Sequence, residues 1–311
     1  MSILSTREAA MRALIEAARE DETLVVVSPD SMLAARAVPF QREFPDRLIE
    51  VGIAEQNAVD VAAGLAAAGM KPVVISYAGF LTMRACEMIR TFVAYPGLNV
   101  KFIGLNGGML GGEREGVTHQ FYEDVGILRS MPGVEILTPA DAHQAYRAAK
   151  AMLDRRGPVY LRLGSGREPE VFDEHTPFEF GKIREVLAYG DDVALFASGF
   201  IMNRAIEAAK RLNGRGVGAN LYDVSTIKPL DMEAVGAALR RVRAAVTVED
   251  HNIYGGLGSA ICEAACQIKP LRVERVGLRD LYPRSGAADE LLDAYGLSIE
   301  DIADAAERSL R

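Results

Sequence analysis

Short apolar, β-branched runs alternate along this chain with longer stretches of helical spacing. That alternation limits the fold to α/β domains built on mainly parallel sheets. Residues 24–27 are continuously apolar, as a strand buried on both faces requires. Residues 55–68 then read as a helix, 73–76 as a strand and 80–94 as a helix. Strands are expected at 100–105, 134–137 and 159–163, with a helix over 140–153 that carries Asp141 in its first turn. Ser5-Thr6-Arg7-Glu8 predicts a capping box opening the first helix. Alternation stops over 164–190, where proline, glycine and charge accumulate, and this stretch reads as a linker draped over the surface. It resumes with strands at 193–197, 218–222, 245–249 and 271–276, helices at 203–212, 231–242 and 261–267, and a helical end announced by Ser298-Ile299-Glu300-Asp301. The expected organisation is a first domain over 1–165, a linker over 166–190 and a second domain over 191–311, each a mainly parallel sheet flanked by helices.

The 311 residues suffice for two domains that each bury a core. A net charge of −8, with no basic block and no interleaving of aromatic and basic residues, argues against nucleic-acid binding. No run approaches the ~20 uncharged apolar residues of a membrane helix. Met1-Ser2-Ile3-Leu4-Ser5 lacks the cationic-then-apolar pattern of a signal peptide. Cys86, Cys262 and Cys266 form an odd, sparse set that fits a reducing compartment, so a cytoplasmic location is expected. Cys262 and Cys266 could share a helix face as a metal pair. With no His or further Cys nearby, small buried core residues are the better reading.

Several stretches carry chemistry. Val51-Gly52-Ile53-Ala54-Glu55-Gln56-Asn57 puts a single carboxylate at the head of an Ala/Gly-rich apolar helix, where an ordinary first-turn glutamate is also favoured by the helix dipole. Tyr77-Ala78-Gly79-Phe80 ends a strand with two aromatics, which serve equally as core or as a stacking surface for a flat ring. Asn106-Gly107-Gly108 and Gly111-Gly112 imply unusual dihedrals and a backbone that a ligand can approach. The lysine and Ser/Thr of a phosphate-binding loop are missing there. Behind them stand Glu113-Arg114-Glu115-Gly116-Val117-Thr118-His119-Gln120, whose histidine suits proton shuttling. Arg162, in Tyr160-Leu161-Arg162, is either a bidentate anion contact or an ion-paired arginine at a strand end. In the second domain, Gly255-Gly256-Leu257-Gly258-Ser259 suits a turn into a helix start able to bind an anion.

Together these stretches resemble the pyrimidine-binding and C-terminal domains of the thiamine-diphosphate-dependent transketolase family, and are similar to the same part of 1-deoxyxylulose-5-phosphate synthase. Gly-Ile-Ala-Glu-Gln-Asn matches the family's activating-glutamate motif. The resemblance therefore implies that Glu55 hydrogen-bonds a ring nitrogen of the cofactor's aminopyrimidine and so helps remove the thiazolium proton. It implies that Tyr77 and Phe80 stack on the pyrimidine, that His119 lies near the substrate oxygens, that Glu115 contacts the donor hydroxyls, and that Arg162 meets the substrate phosphate. Relatives often place an arginine three residues beyond the phenylalanine. Here Met83 stands there and Arg84 follows, so no role passes to the arginine. Where relatives have Asp-Gly-x-Thr-His this chain has Glu115-Gly116-Val117-Thr118-His119, and Leu105-Asn106-Gly107 replaces an upstream histidine or arginine. Tyr222 to Asp231 and Val248-Glu249-Asp250-His251-Asn252 match the family's C-terminal domain, which the resemblance makes largely structural, with His251 a minor candidate for the site rim.

The family's Gly-Asp-Gly motif, which holds the diphosphate through a divalent cation, is absent, so no metal ligand is assigned to this chain. The resemblance thus implies the C-terminal subunit of a split transketolase. It would move a two-carbon ketol unit between sugar phosphates, pair with a separate subunit that supplies the diphosphate and Mg²⁺ site, and form an α₂β₂ assembly around a homodimer core. The alternatives are a 2-oxoacid dehydrogenase beta subunit, against which Thr118-His119-Gln120 argues, an enzyme like the deoxyxylulose-phosphate synthases, and a non-catalytic assembly partner.

Overall fold

The structure, a computed structural model, describes residues 5–112, 115–166 and 168–311. The N-terminal residues 1–4, Glu113, Arg114 and Arg167 lie outside the described residues, and with them part of the signal-peptide reading and of the Gly111–Gln120 stretch. In chain order the strands are β1 (Leu24–Ser28), β2 (Leu48–Glu50), β3 (Lys71–Tyr77), β4 (Lys101–Leu105), β5 (Glu135–Leu137), β6 (Val159–Arg162), β7 (Arg184–Ala188), β8 (Val193–Ala197), β9 (Ala219–Asp223), β10 (Thr226–Lys228), β11 (Ala244–Asn252) and β12 (Arg272–Leu278).

Among the described residues they form a seven-stranded sheet, ordered β10-β5-β6-β4-β3-β1-β2, and a five-stranded sheet, ordered β12-β11-β8-β9-β7. Every pairing is parallel except β10 on β5 and β7 on β9. Both capping boxes form, Ser5 with Glu8 and Ser298 with Asp301. Asp141 stands one place before its helix (Ala142–Asp154) as the N-cap, its carboxylate accepting from Gln144 N at 2.8 Å.

The helix Glu55–Ala67 buries residues 55, 58, 59, 62 and 63, a stripe of helical period, against Val27, Val74 and Phe102 of the first sheet. A fully buried valine such as Val59 contributes about 1.5–3 kcal/mol. This packing fixes the helix start, and with it Glu55, beside the carboxyl ends of β1 and β3.

Two strands depart from the expected organisation. The end of the 166–190 stretch is not linker but the edge strand β7, whose residues are part-buried or exposed. An edge strand meets solvent along one side and tolerates Arg184 and Glu185, so its polarity masks it. Part of that stretch is held down: Asp141 Oδ2 accepts from Val171 N at 2.9 Å and Phe172 N at 2.6 Å. β10, from the second domain, completes the first domain's sheet, so the domains share a continuous ladder. The cysteines also differ from expectation: Cys262 is half-buried and Cys266 exposed, one helical turn apart, and neither is a core residue.

Candidate active site

The site grows from the carboxyl ends of parallel strands, where open α/β sheets bind ligands. Glu55 opens its helix behind Ala54, which offers no side-chain cap, and is only 1 % exposed. Arg84 donates to its Oε2 at 2.6 Å. Among the described residues no other group bonds the carboxylate, so Oε1 remains for a ligand.

Arg84 reaches Glu55 because the segment expected as one α-helix over 80–94 is mostly π-helical: Phe80–Arg84 and Ile89–Ala94, with Cys86–Met88 between. A π-turn closes i to i+5 and is wider than an α-turn. It brings residue 84 back over residue 80, and the Arg84 guanidinium sits 4.6 Å from the Phe80 ring centroid. The arginine displaced by one place in the sequence is thus delivered to the site by backbone geometry. Only the Met83-Arg84 order hinted at it.

Phe80 belongs to an aromatic cluster. Tyr77 and Phe80 meet edge to face at 5.7 Å, and the His119 ring stands edge-on to both, at 5.6 Å from Tyr77 and 5.2 Å from Phe80. Phe121 closes the group, 5.1 Å from Phe80. Gly79 is obligatory here, since a Cβ on it would lie 1.9 Å from the Phe121 ring. Thr118 Oγ1 and His119 Nδ1 are 3.0 Å apart and hydrogen-bonded, which turns the ring and leaves Nε2 for a ligand. Glu115 is exposed on the same loop, one residue before Gly116, whose φ of +81° suits glycine. The structure therefore brings Glu55, Tyr77, Phe80 and His119 together, adds Arg84 and Phe121, and leaves Glu115 on the open side of the loop.

Arg162 is placed elsewhere. Its side chain is sealed from solvent, with Nε donating to Asp124 Oδ2 at 2.9 Å and Nη1 to Asp250 Oδ1 at 2.8 Å. Those carboxylates occupy it, so the substrate-phosphate role is withdrawn and the ion-paired reading describes this structure. Burial alone would weaken the guanidinium's hold on its proton, but the charges of Asp124 and Asp250 raise its pKa still further. The Asp250 carboxyl is raised by burial, yet the neighbouring Arg162 and His251 bring it below its ordinary value.

His251 is likewise buried, not at a rim. Its Nδ1 lies 3.4 Å from Asp250 Oδ1 and its Nε2 2.8 Å from Glu249 Oε2. Burial lowers its pKa, but the two acids outweigh this and push it up to about 9. Nor is the helix start behind Gly255-Gly256 open to an external anion. Glu249 Oε1 accepts from Gly258 N at 3.0 Å, so the chain supplies its own carboxylate to the helix Leu257–Ile268. Among the described residues no group of three or more His, Cys, Asp or Glu is arranged to hold a metal, and no helix is long and apolar enough to cross a membrane.

Two mainly parallel sheets, with a buried carboxylate and a cluster of aromatics at the strand ends, define an α/β protein with a candidate ligand site at the carboxyl ends of its strands. Similarity to known proteins makes the class specific. Residues 2–167 match the family described as "Transketolase, pyrimidine binding domain" and residues 181–302 match "Transketolase, C-terminal domain". The chain is 38 % identical over 300 residues to the 6-deoxy-6-sulfo-D-fructose transketolase subunit SqwH of Clostridium sp. (strain MSTE9), covering 96 % of this chain and 92 % of that one. It is 35 % identical over 303 residues to an apulose-4-phosphate transketolase subunit of Phocaeicola vulgatus, covering 97 % and 96 %. A 1-deoxy-D-xylulose-5-phosphate synthase of Desulforudis audaxviator is 34 % identical, but the chain covers only 47 % of it. Among solved structures, a split gene transketolase described as an inactive beta4 tetramer superposes with a TM-score of 0.89 at 37 % identity, covering 99 % of both chains. The chain belongs to the transketolase family and is a homologue of the C-terminal subunits of split transketolases. Membership implies a transferase-type subunit and thiamine diphosphate as cofactor.

Proposed function

We propose that this chain is the C-terminal subunit of a split transketolase, transferring a two-carbon ketol unit between sugar phosphates or their close analogues. The observation that carries the reading is the free Oε1 of buried Glu55 beside the Tyr77–Phe80–His119 cluster. A flat heteroaromatic ring whose nitrogen can take up a proton fits such a place, that proton bridging the nitrogen and Oε1. Thiamine diphosphate, when bound, supplies the carbon nucleophile that breaks and makes the carbon–carbon bond. Glu55 holds a ring nitrogen of the aminopyrimidine and tunes its proton, and Tyr77 and Phe80 orient the ring. His119, with Nδ1 engaged by Thr118, moves a proton at the substrate oxygen through Nε2. Glu115 reaches the donor hydroxyls.

The diphosphate and its Mg²⁺ are held by a partner subunit that carries the other half of the site. Two copies of each chain make the working assembly, in a cytoplasmic setting. Exposed Ile53, Met83, Phe92 and Tyr95 support a protein partner on this side, since they stand on the segments that bear Glu55 and Arg84. The sugar is left open. The names of the relatives specify a sulfonated and a phosphorylated ketose, and Arg162 is not free to read either anion.

The test is reconstitution of this chain with a transketolase subunit bearing the diphosphate-binding half, with thiamine diphosphate and Mg²⁺. Ketol transfer is assayed from xylulose 5-phosphate, a sulfonated ketose and a branched ketose phosphate. Transfer from one of them supports the reading. Turnover of 2-oxoacids with a lipoyl acceptor instead would overturn it.

A further inference from the structure

The loop that carries Glu115 and His119 is tied down at both ends, and the anchor comes from the second domain. Near its start, Gly107 and Gly108 press on Arg162 and Asp250. A Cβ on Gly107 would lie 2.6 Å from Arg162 Cγ, and one on Gly108 would lie 1.7 Å from Asp250 Oδ2. Met109 N donates to the Asp250 carbonyl at 3.2 Å. At the far end, Gly108 N donates to Phe121 O at 2.5 Å, closing the loop on itself, and Asn252 N donates to Tyr122 O at 2.9 Å. Arg162 spans both ends. It lies under Gly107 while its Nε bonds Asp124, the residue that opens the next helix. Tyr160 donates to the same Asp124 oxygen at 2.7 Å. The second domain touches the loop once more, where Gln120 Nε2 donates to Arg284 O at 3.2 Å.

We infer that Asp250, acting through Arg162 and the Gly107–Gly108 backbone, is a positioning residue that sets the His119 loop, so that the second domain helps to build the active site. The physical basis is the buried charge pair. A guanidinium held by two carboxylates at 2.8 and 2.9 Å has one geometry, and a backbone with no room for a Cβ against it inherits that geometry. Phe121, fixed by its carbonyl, then fixes the ring cluster in which His119 stands. Asp250 is fully buried and acts through Arg162.

The test rests on the transketolase reading for its kinetic arm alone. Asp250→Asn keeps the shape and removes the charge. In the reconstituted complex, kcat is expected to fall about tenfold or more, the size of effect that small misplacements produce, while the Kd of thiamine diphosphate is unchanged. In the same variant, the His119 imidazole signals, assigned by their loss in His119→Gln, are expected to shift. A folded variant with those signals and kcat unchanged overturns the inference, as does a fall in kcat without movement of His119, which marks a merely structural residue. Should the variant not fold, hydrogen exchange on the wild-type chain decides. Residues 106–109 and 121–124 are expected to be protected in step with 248–252, and exchange at open-loop rates overturns the inference. Absence of all ketol transfer in the wild-type complex would sink the functional reading and leave the imidazole and exchange measurements to judge this one.

Discussion

Glu55 is a buried acid paired with the half-exposed Arg84. Replacing Arg84 by Met leaves that carboxylate sealed and unpaired, and a destabilisation of about 1–3 kcal/mol is expected in denaturant unfolding. An unchanged midpoint would mean that Glu55 hydrates freely. Glu55→Gln is expected to lower ketol transfer by about 10²–10⁴-fold in the reconstituted complex. Full activity would favour the non-catalytic partner. His251 gives a pH signature. Its pKa is raised from 6.5 to about 9 in the folded chain, where burial opposes and the charges of Glu249 and Asp250 prevail. Its charge therefore stabilises fully below 6.5, and that contribution is lost as pH climbs through about 9. Unfolding midpoints from pH 6 to about 10 should fall for the wild type more steeply than for His251→Gln. Parallel curves would remove the buried charge. At this scale the grouping of Tyr77, Phe80 and His119 near Glu55 was legible because motif and position travel together, while their roles rest on the proposed function. Arg84 was not, because a π-turn leaves no periodic trace in the sequence. Nor was the fate of Arg162, because its partners Asp124 and Asp250 lie 38 and 88 residues away.

Strands and helices packed on both faces announced themselves by continuous or periodic apolar residues, as β1, β8 and the helix Glu55–Ala67 show. Elements at the margins did not. β7 is a polar edge and β10 is three residues long, and its antiparallel pairing with β5 depends on a contact between domains that local pattern cannot encode. The Phe80–Arg84 segment depends on what lies over it. Gly79→Ala would drive a methyl into the Phe121 ring, and a loss of about 1–3 kcal/mol is expected from the overpacking. Weaker binding of thiamine diphosphate by the complex should accompany it, since Phe80 follows directly. A melt and an affinity equal to wild type would show that Phe121 swings aside at no cost and that the cluster is loosely held.

Across the whole molecule, the shared ladder through β10 and the Arg162–Asp250 contact make the second domain part of the first domain's architecture. Four exposed apolar residues, Ile53, Met83, Phe92 and Tyr95, stand on the segments that bear Glu55 and Arg84, with Ile53 75 % and Tyr95 88 % exposed. Under the proposed function such a face is covered by protein in the working assembly. Tyr95→Ser with Phe92→Ser is expected to reduce self-association of the isolated chain in sedimentation and to weaken its hold on the partner subunit. Unaltered association would place the interface elsewhere. The central claim is that this chain holds the pyrimidine half of a cofactor site completed by another subunit. The most direct measurement is calorimetric titration of thiamine diphosphate with Mg²⁺ into this chain alone and into its mixture with a diphosphate-binding subunit. Tight binding in the mixture and none by the chain alone is the expected result. Tight binding by the chain alone would contradict the account.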